Sequence, residues 1–315
     1  MKPSQHTRPT AKLARTVWRC SGIGALMLLL SGCGVTHQAS EGKPASTQEA
    51  LREPVPFSRQ AARRFTPDDW PEVLRADVYL PETSGEPLRP AALVVHGGGW
   101  RNRGRKDMEQ IAKALAAQGY VTVNIEHRFA PEHHFPAQLH DLQQAMRWLH
   151  ANAADWQVDT ERMVGVGFSS GAHLVSLLAV AGAEGPLAEP YGGEHARLAA
   201  VLAGGLPSDL LKFNDGRLVV DFIGGTRAQK REAYVRASPA RQVTGAAPPH
   251  FLYHGTWDRL VPVDHATDFY QALLAHDVES ELYLLRGRGH FASFLFNDEA
   301  IEAGIAFLNR QVGNR

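Results

Sequence analysis

Apolar positions recur along this chain in two alternating rhythms. Arg75 to Leu80 alternates by twos and stops at Pro81, which predicts a half-buried strand. Ala91 to Val95 is a continuous apolar run, the pattern of a strand covered on both faces. Met108, Ile111, Ala112 and Leu115 then repeat at helical spacing up to Gly119, and Tyr120 to Ile125 reads as a strand again. Leu139, Leu142, Ala145, Met146 and Leu149 stripe a second helix, entered after Pro136. Arg162 to Val166 predicts a strand, and Leu174 to Ala181 is apolar nearly all round, as in a helix buried against a sheet. Ala199 to Ala203, His250 to His254 and Glu281 to Leu285 are further strands. Asp264 is expected to cap a helix that turns Ala266, Phe269, Tyr270 and Leu273 inward. A terminal helix starts near Asn297-Asp298 and buries Ile301, Gly304, Ile305 and Leu308.

Strands alternating with helices of this length predict an α/β fold, a mostly parallel sheet covered on both faces. Such sheets bind ligands at the carboxyl ends of their strands. His96, Ser169, Asp258 and His290 each fall just past a strand end, on one rim. Leu206 to Pro249 is a long irregular connection and is expected to form a cap or lid.

The chemistry centres on Gly167-Phe168-Ser169-Ser170-Gly171, with a strand before it and a helix after it. This is the pattern of a nucleophile elbow, in which a tight turn projects Ser169 and needs glycine two residues to either side. Ser170 is flanked at that distance by Phe168 and Ala172, so it is not the nucleophile. A serine hydroxyl needs a base. His290, in Gly287-Arg288-Gly289-His290, follows the last strand and is assigned that role. The base needs an orienting carboxylate, and Asp258 lies one strand–helix–strand unit earlier. Asp209 is the rival acid. The run His96-Gly97-Gly98-Gly99-Trp100 brings backbone amides close to a developing oxyanion, and the donors are assigned to Gly98, Gly99 and Ser170. His96 is expected to order that loop rather than transfer a proton. Trp100, Trp257 and Phe168 are expected to line the site as apolar walls. No cofactor is required. His127, Glu132, His133, His134 and His140 match no metal-binding spacing, so no metal is expected.

These motifs change meaning together. Residues from about 75 to 312 resemble the α/β-hydrolase esterases of the BD-FAE and hormone-sensitive-lipase-like groups. The resemblance rests on the HGGGW run, the elbow, His254-Gly255-Thr256-Trp257-Asp258 and Gly289-His290. His127-Arg128-Phe129-Ala130-Pro131-Glu132 is similar to a Tyr-Arg-Leu-Ala-Pro-Glu stretch of that family, with histidine in place of tyrosine. Phe222-Ile223-Gly224-Gly225-Thr226 and Ala237-Ser238-Pro239 resemble its cap-side connection. The resemblance implies a carboxylesterase acting on small-molecule esters through an acyl-enzyme. An amidase, arylformamidase or peptidase on the same triad is the alternative, and a non-enzymatic binding module the third reading. Charges scattered among Leu210, Leu211 and Phe213 speak against an interfacial lid and for short or soluble esters.

Charge and cysteine usage add an address. The chain of 315 residues has 33 basic and 33 acidic residues. Lys2, Arg8, Lys12, Arg15 and Arg19 precede residue 33 with no acid among them, so the remainder holds 28 basic against 33 acidic residues, a net of −5. An acidic body offers no nucleic-acid footprint. Gly22 to Leu30 is too short an apolar run to span a bilayer and fits the core of a signal peptide over residues 1–32. Leu30-Ser31-Gly32-Cys33 resembles the bacterial lipobox, which implies lipidation at Cys33 and attachment to the membrane. Gly34, rather than aspartate, favours the outer membrane. Residues 33–57 lack periodicity and are expected to be a flexible tether, with the folded domain at 58–315. Both cysteines lie in the first 33 residues, so the body has no disulfide.

Overall fold

The computed structural model describes Met1 and residues 34–40, 46–82 and 88–313. The expected signal peptide and Cys33 lie outside the described residues. Two units are distinguished, Met1–Gly34 and Val35–Arg315, and the second carries the fold.

That unit is built on a nine-stranded sheet in the order β1-β9-β8-β7-β6-β4-β5-β3-β2. The strands are β1 (Val35–Ala39), β2 (Phe57–Arg64), β3 (Arg75–Pro81), β4 (Arg89–Val95), β5 (Val121–Ile125), β6 (Val158–Phe168), β7 (Ala200–Gly204), β8 (His250–Gly255) and β9 (Ser280–Leu285). From β4 to β9 every pairing is parallel, while β1, β2 and β3 add antiparallel edges. This is the α/β-hydrolase fold. The main helices are α1 (Thr47–Ala50), α2 (Glu109–Ala117), α3 (Ala137–Ala151), α4 (Ala153–Trp156), α5 (Ser170–Ala181), α6 (Arg217–Ile223), α7 (Arg231–Arg236), α8 (Asp264–Leu274), α9 (His290–Leu295) and α10 (Asp298–Gly313).

Side chains of a strand alternate between faces, so each central strand feeds two cores. Ala91, Leu93 and Val95 of β4 join Leu139, Leu142 and Met146 of α3 and Leu174 and Leu178 of α5. Ala92 and Val94 point the other way, toward Ile111 and Leu115 of α2 and Ile301, Ile305 and Leu308 of α10. The apolar stripes read from the sequence are therefore the buried faces. Among the described residues, no helix is long and apolar enough to cross a membrane.

The structure departs from the sequence reading at the edges. Val35–Ala39, expected in a flexible tether, pairs with β9 as an edge strand. Thr47–Ala50 is helical, and the backbone N–H of Arg52 donates to Gln118 Oε1 at 2.7 Å. Backbone ladder bonds and polar side chains hold this segment, and neither leaves an apolar period to read. β2 leaves no readable period for the same reason: it is a mostly exposed edge strand, bulged between Gln60 and Arg63. Asp264 is not a cap. It opens α8, and its carboxylate receives Lys212 Nζ at 3.0 Å. The 206–249 segment is fastened inward, with Leu210, Val219, Phe222, Ile223 and Tyr234 all buried.

Candidate active site

Parallel strands end on one rim, and Gly98, Gly99, Ser169, Asp258 and His290 all lie just past strand ends there. β6 ends at Phe168, α5 begins at Ser170, and Ser169 is left at φ 54°, ψ −123°. This is a strained region for a residue with a side chain. The turn is tight enough that a Cβ on Gly167 would collide with the backbone of Gly171, and one on Gly171 with the carbonyl oxygen of Val95. Ser169 N donates to Gly204 O at 2.7 Å, which ties the elbow to β7.

Ser169 Oγ lies 2.9 Å from His290 Nε2, and His290 Nδ1 lies 2.6 Å from Asp258 Oδ2. A neutral imidazole that donates from Nδ1 presents Nε2 as an acceptor, so the serine hydroxyl donates to it. Thus three residues separated by up to 121 positions form one continuous relay. Burial favours the neutral Asp258 carboxyl. Hydrogen bonds from His254 and His290 and the amide of Val261 outweigh it and hold the group well below the usual carboxylate range. Asp258 therefore stays anionic against the imidazole.

The glycine loop lies against Ser169. A Cβ on Gly97 would sit 3.0 Å from Phe168 O and 3.2 Å from Ser169 Cβ. Gly98 and Gly99 take φ of 119° and 62°, a left-handed region that glycine enters without penalty. Ser170 opens α5 beside Ser169, so its amide belongs to the unsatisfied first turn of a helix. His96 Nδ1 donates to Gly97 O at 2.7 Å, and its ring stacks on His127 at 4.6 Å. Burial pushes both imidazoles toward the neutral form, His127 down to about 3. His96 thus orders the loop.

Other residues take different places from those expected. Trp100 is buried rather than lining the site: its ring stacks on Phe222 at 4.5 Å, and Nε1 donates to His173 Nδ1 at 3.2 Å. His173 Nε2 donates in turn to Ala237 O at 2.6 Å. Trp257 is exposed at the rim, and Phe168 lies 5.0 Å from the His290 ring. Asp209 is engaged elsewhere, accepting from Leu211 N at 3.0 Å and pairing with Arg241 at 2.7 Å. The polar loop is dispersed: His133 meets Glu72, His134 donates to Asp221 O, and His140 packs on Tyr191.

Two residues at the site carried no role in the sequence reading. His254 Nε2 donates to Val261 O at 2.8 Å and lies 3.3 Å from Asp258 Oδ2. Gly205 has φ 58°, and a Cβ there would come within 3.1 Å of His290 Cε1. Spacing of four from Asp258 was the available signal for His254. Gly205 had none, because its neighbour His290 is distant in sequence.

The BD-FAE family model matches residues 76–273, well over half of the chain. This chain belongs to the BD-FAE family. The Mycobacterium tuberculosis (strain ATCC 25618 / H37Rv) protein Esterase LipC is 32% identical to this BD-FAE chain over 217 residues, 65% of this chain and 54% of LipC. The chain spans about half the length of the curated relatives it matches. A solved bifunctional GH43-CE from Bacteroides eggerthii superimposes with a TM-score of 0.72 at 26% identity, over 81% of this chain and 35% of that one. A truncated carbohydrate esterase from gut microbiota shares the fold, with a TM-score of 0.70 at 21% identity, over 86% of this chain and all of that one.

Proposed function

We propose that this BD-FAE chain is a serine carboxylesterase of short-chain or aryl esters, and that Cys33 anchors it by lipid to the outer membrane. The observation that carries the catalytic reading is the unbroken relay from Ser169 Oγ through His290 to Asp258, with distances of 2.9 and 2.6 Å.

Ser169 Oγ attacks the ester carbonyl carbon as its proton passes to His290 Nε2. Asp258 holds the tautomer and stabilises the imidazolium. The amides of Gly98, Gly99 and Ser170 bind the tetrahedral oxyanion, each such donor being worth about 10²–10³ in rate. His290 then protonates the leaving alcohol. Water repeats the sequence on the acyl-enzyme, with His290 taking its proton and Ser169 leaving. The anchor reading rests on Leu30-Ser31-Gly32-Cys33 behind a short apolar run.

The test compares the full chain with its Ser169→Ala variant on nitrophenyl esters of increasing acyl length and on matched anilides. The parent is expected to cleave the esters and spare the anilides, and the variant to lose about 10⁴-fold or more in kcat. Equal turnover by both proteins rejects Ser169 as nucleophile. Preference for anilides moves the assignment to an amidase. Metabolic labelling with a fatty acid, lost in Cys33→Ala, tests the anchor.

A further inference from the structure

Five of the large apolar side chains left exposed in the described fold follow β8 and β9. Trp257 is 73% exposed, Phe291 65%, Leu295 67% and Phe296 66%, with Leu260 beside them. They ride on the loop after β8 and on α9 with the residue after it, and the two touch: Trp257 N donates to Arg288 O at 3.0 Å, and the Arg288 side chain reaches the carbonyl of Phe296. Phe291 and Leu295 stand four apart on α9, a spacing that puts them on one helix face, while His290 and Ser293 are buried. The patch therefore lies beside His290. Single exposed apolar residues are ordinary, but a contiguous group marks a surface that meets something apolar.

The same rim receives the chain from its N-terminal side. β1 runs antiparallel to β9, with Val35 opposite Leu285, and Arg286 Nε donates to Thr36 Oγ1 at 3.1 Å. β1 thus starts at the carboxyl end of the parallel strands, the rim that carries His290. Cys33 precedes Val35 by two residues, a reach of at most about 7 Å. A lipid on Cys33 would tether the domain by this rim. Arg259 and Arg286 are exposed and Arg288 half-buried beside the aromatic group, where guanidinium groups suit anionic headgroups. The exposed acids that follow, Asp298 and Glu299, open α10.

We infer that this rim is a membrane-docking surface: Trp257, Phe291, Leu295 and Phe296 enter the interfacial layer of an anionic bilayer, and the active site works facing it. The inference rests on the anchor at Cys33 proposed above. An acyl anchor and an apolar, basic patch act as complementary attachments. In the 206–249 segment, by contrast, Leu210 is buried and Phe213 stacks on His265 at 4.8 Å.

The experiment uses the full chain reconstituted into vesicles of phosphatidylethanolamine and phosphatidylglycerol with brominated acyl chains. Tryptophan quenching is read in the parent, in Trp257→Phe, and in the triple variant F291S/L295S/F296S. The parent is expected to float with the vesicles and to be quenched, with about half or more of that quenching lost in Trp257→Phe. The triple variant is expected to lose the same component while still floating, and to keep its turnover of soluble nitrophenyl acetate in detergent within about two-fold. Equal quenching in the parent and Trp257→Phe overturns the docking surface and leaves the anchor standing. A parent that does not float overturns both. A detergent-free dimer that the triple variant disperses assigns the rim to a second copy and also overturns it. Failure of the esterase reading is seen separately, as loss of turnover with quenching intact.

Discussion

At the scale of the residue, the relay depends on neighbours that touch no substrate. Gly205 at φ 58° faces His290, and a Cβ there meets Phe168 at 3.0 Å and His290 at 3.1 Å. Gly205→Ala combines backbone strain with displacement of His290, so kcat is expected to fall on the order of 10²-fold with the fold retained if His290 is the base proposed above, as steady-state kinetics and circular dichroism will read. His254 holds the Val261 carbonyl and lies against Asp258 Oδ2, the same oxygen that faces His290. His254→Leu leaves both short of a donor, and kcat is expected to drop about ten-fold with KM little changed, the mark of an effect confined to the transition state. Unchanged kcat shows that the amides of Leu260 and Val261, at 2.9 and 2.8 Å from Asp258 Oδ1, suffice to orient the carboxylate.

At the scale of the element, the glycine loop is held by the segment that covers it. Trp100 at φ 60° stacks on Phe222 of α6, and its hydrogen bond to His173 continues to Ala237. Leu218 of α6 lies over Gly99 at a distance that leaves little room for any Cβ there. The connection is thus a brace for the glycine loop. Phe222→Ala opens a cavity in this stack and is expected to cost about 3–5 kcal/mol in chemical denaturation. The same variant should lower kcat, because amides that shift no longer meet the oxyanion. Little of this brace was legible in the chain. The Phe222-to-Thr226 motif shows through resemblance alone, and the sequence places Trp100 in the site wall because adjacency to Gly99 does not reveal which way an indole turns.

At the scale of the whole molecule, buried histidines set the response to acid. Burial pushes His127 down to about 3 and His173, His250 and His265 to about 4, below the ordinary histidine value. Each is neutral in the fold and charges when unfolded, so the unfolded state binds more protons as pH falls below about 6.5. Their contribution to stability is fully present above that pH and is lost progressively as pH falls toward 4. The melting temperature is expected to be lower at pH 5 than at pH 7.5 by at least about 5 °C. An unchanged value shows that these groups titrate alike in both states. Asp258 adds a further loss only at lower pH, because its carboxyl is held below the usual range. Much of this molecule was written in local pattern. Apolar periodicity determined the central strands and main helices, since burial of one face leaves its period in the chain. Glycine spacing determined the elbow, since no other residue fits where a Cβ meets backbone. The order Ser169, Asp258, His290 was determined by their places after strand ends. Tertiary structure alone decided the rest. The edge strands Val35–Ala39 and Phe57–Arg64 form by backbone pairing, which is indifferent to side-chain pattern. Gly205 and His254 gained their roles from distant chain folding against them. The exposed apolar rim became one surface because two loops from different strands met beside His290.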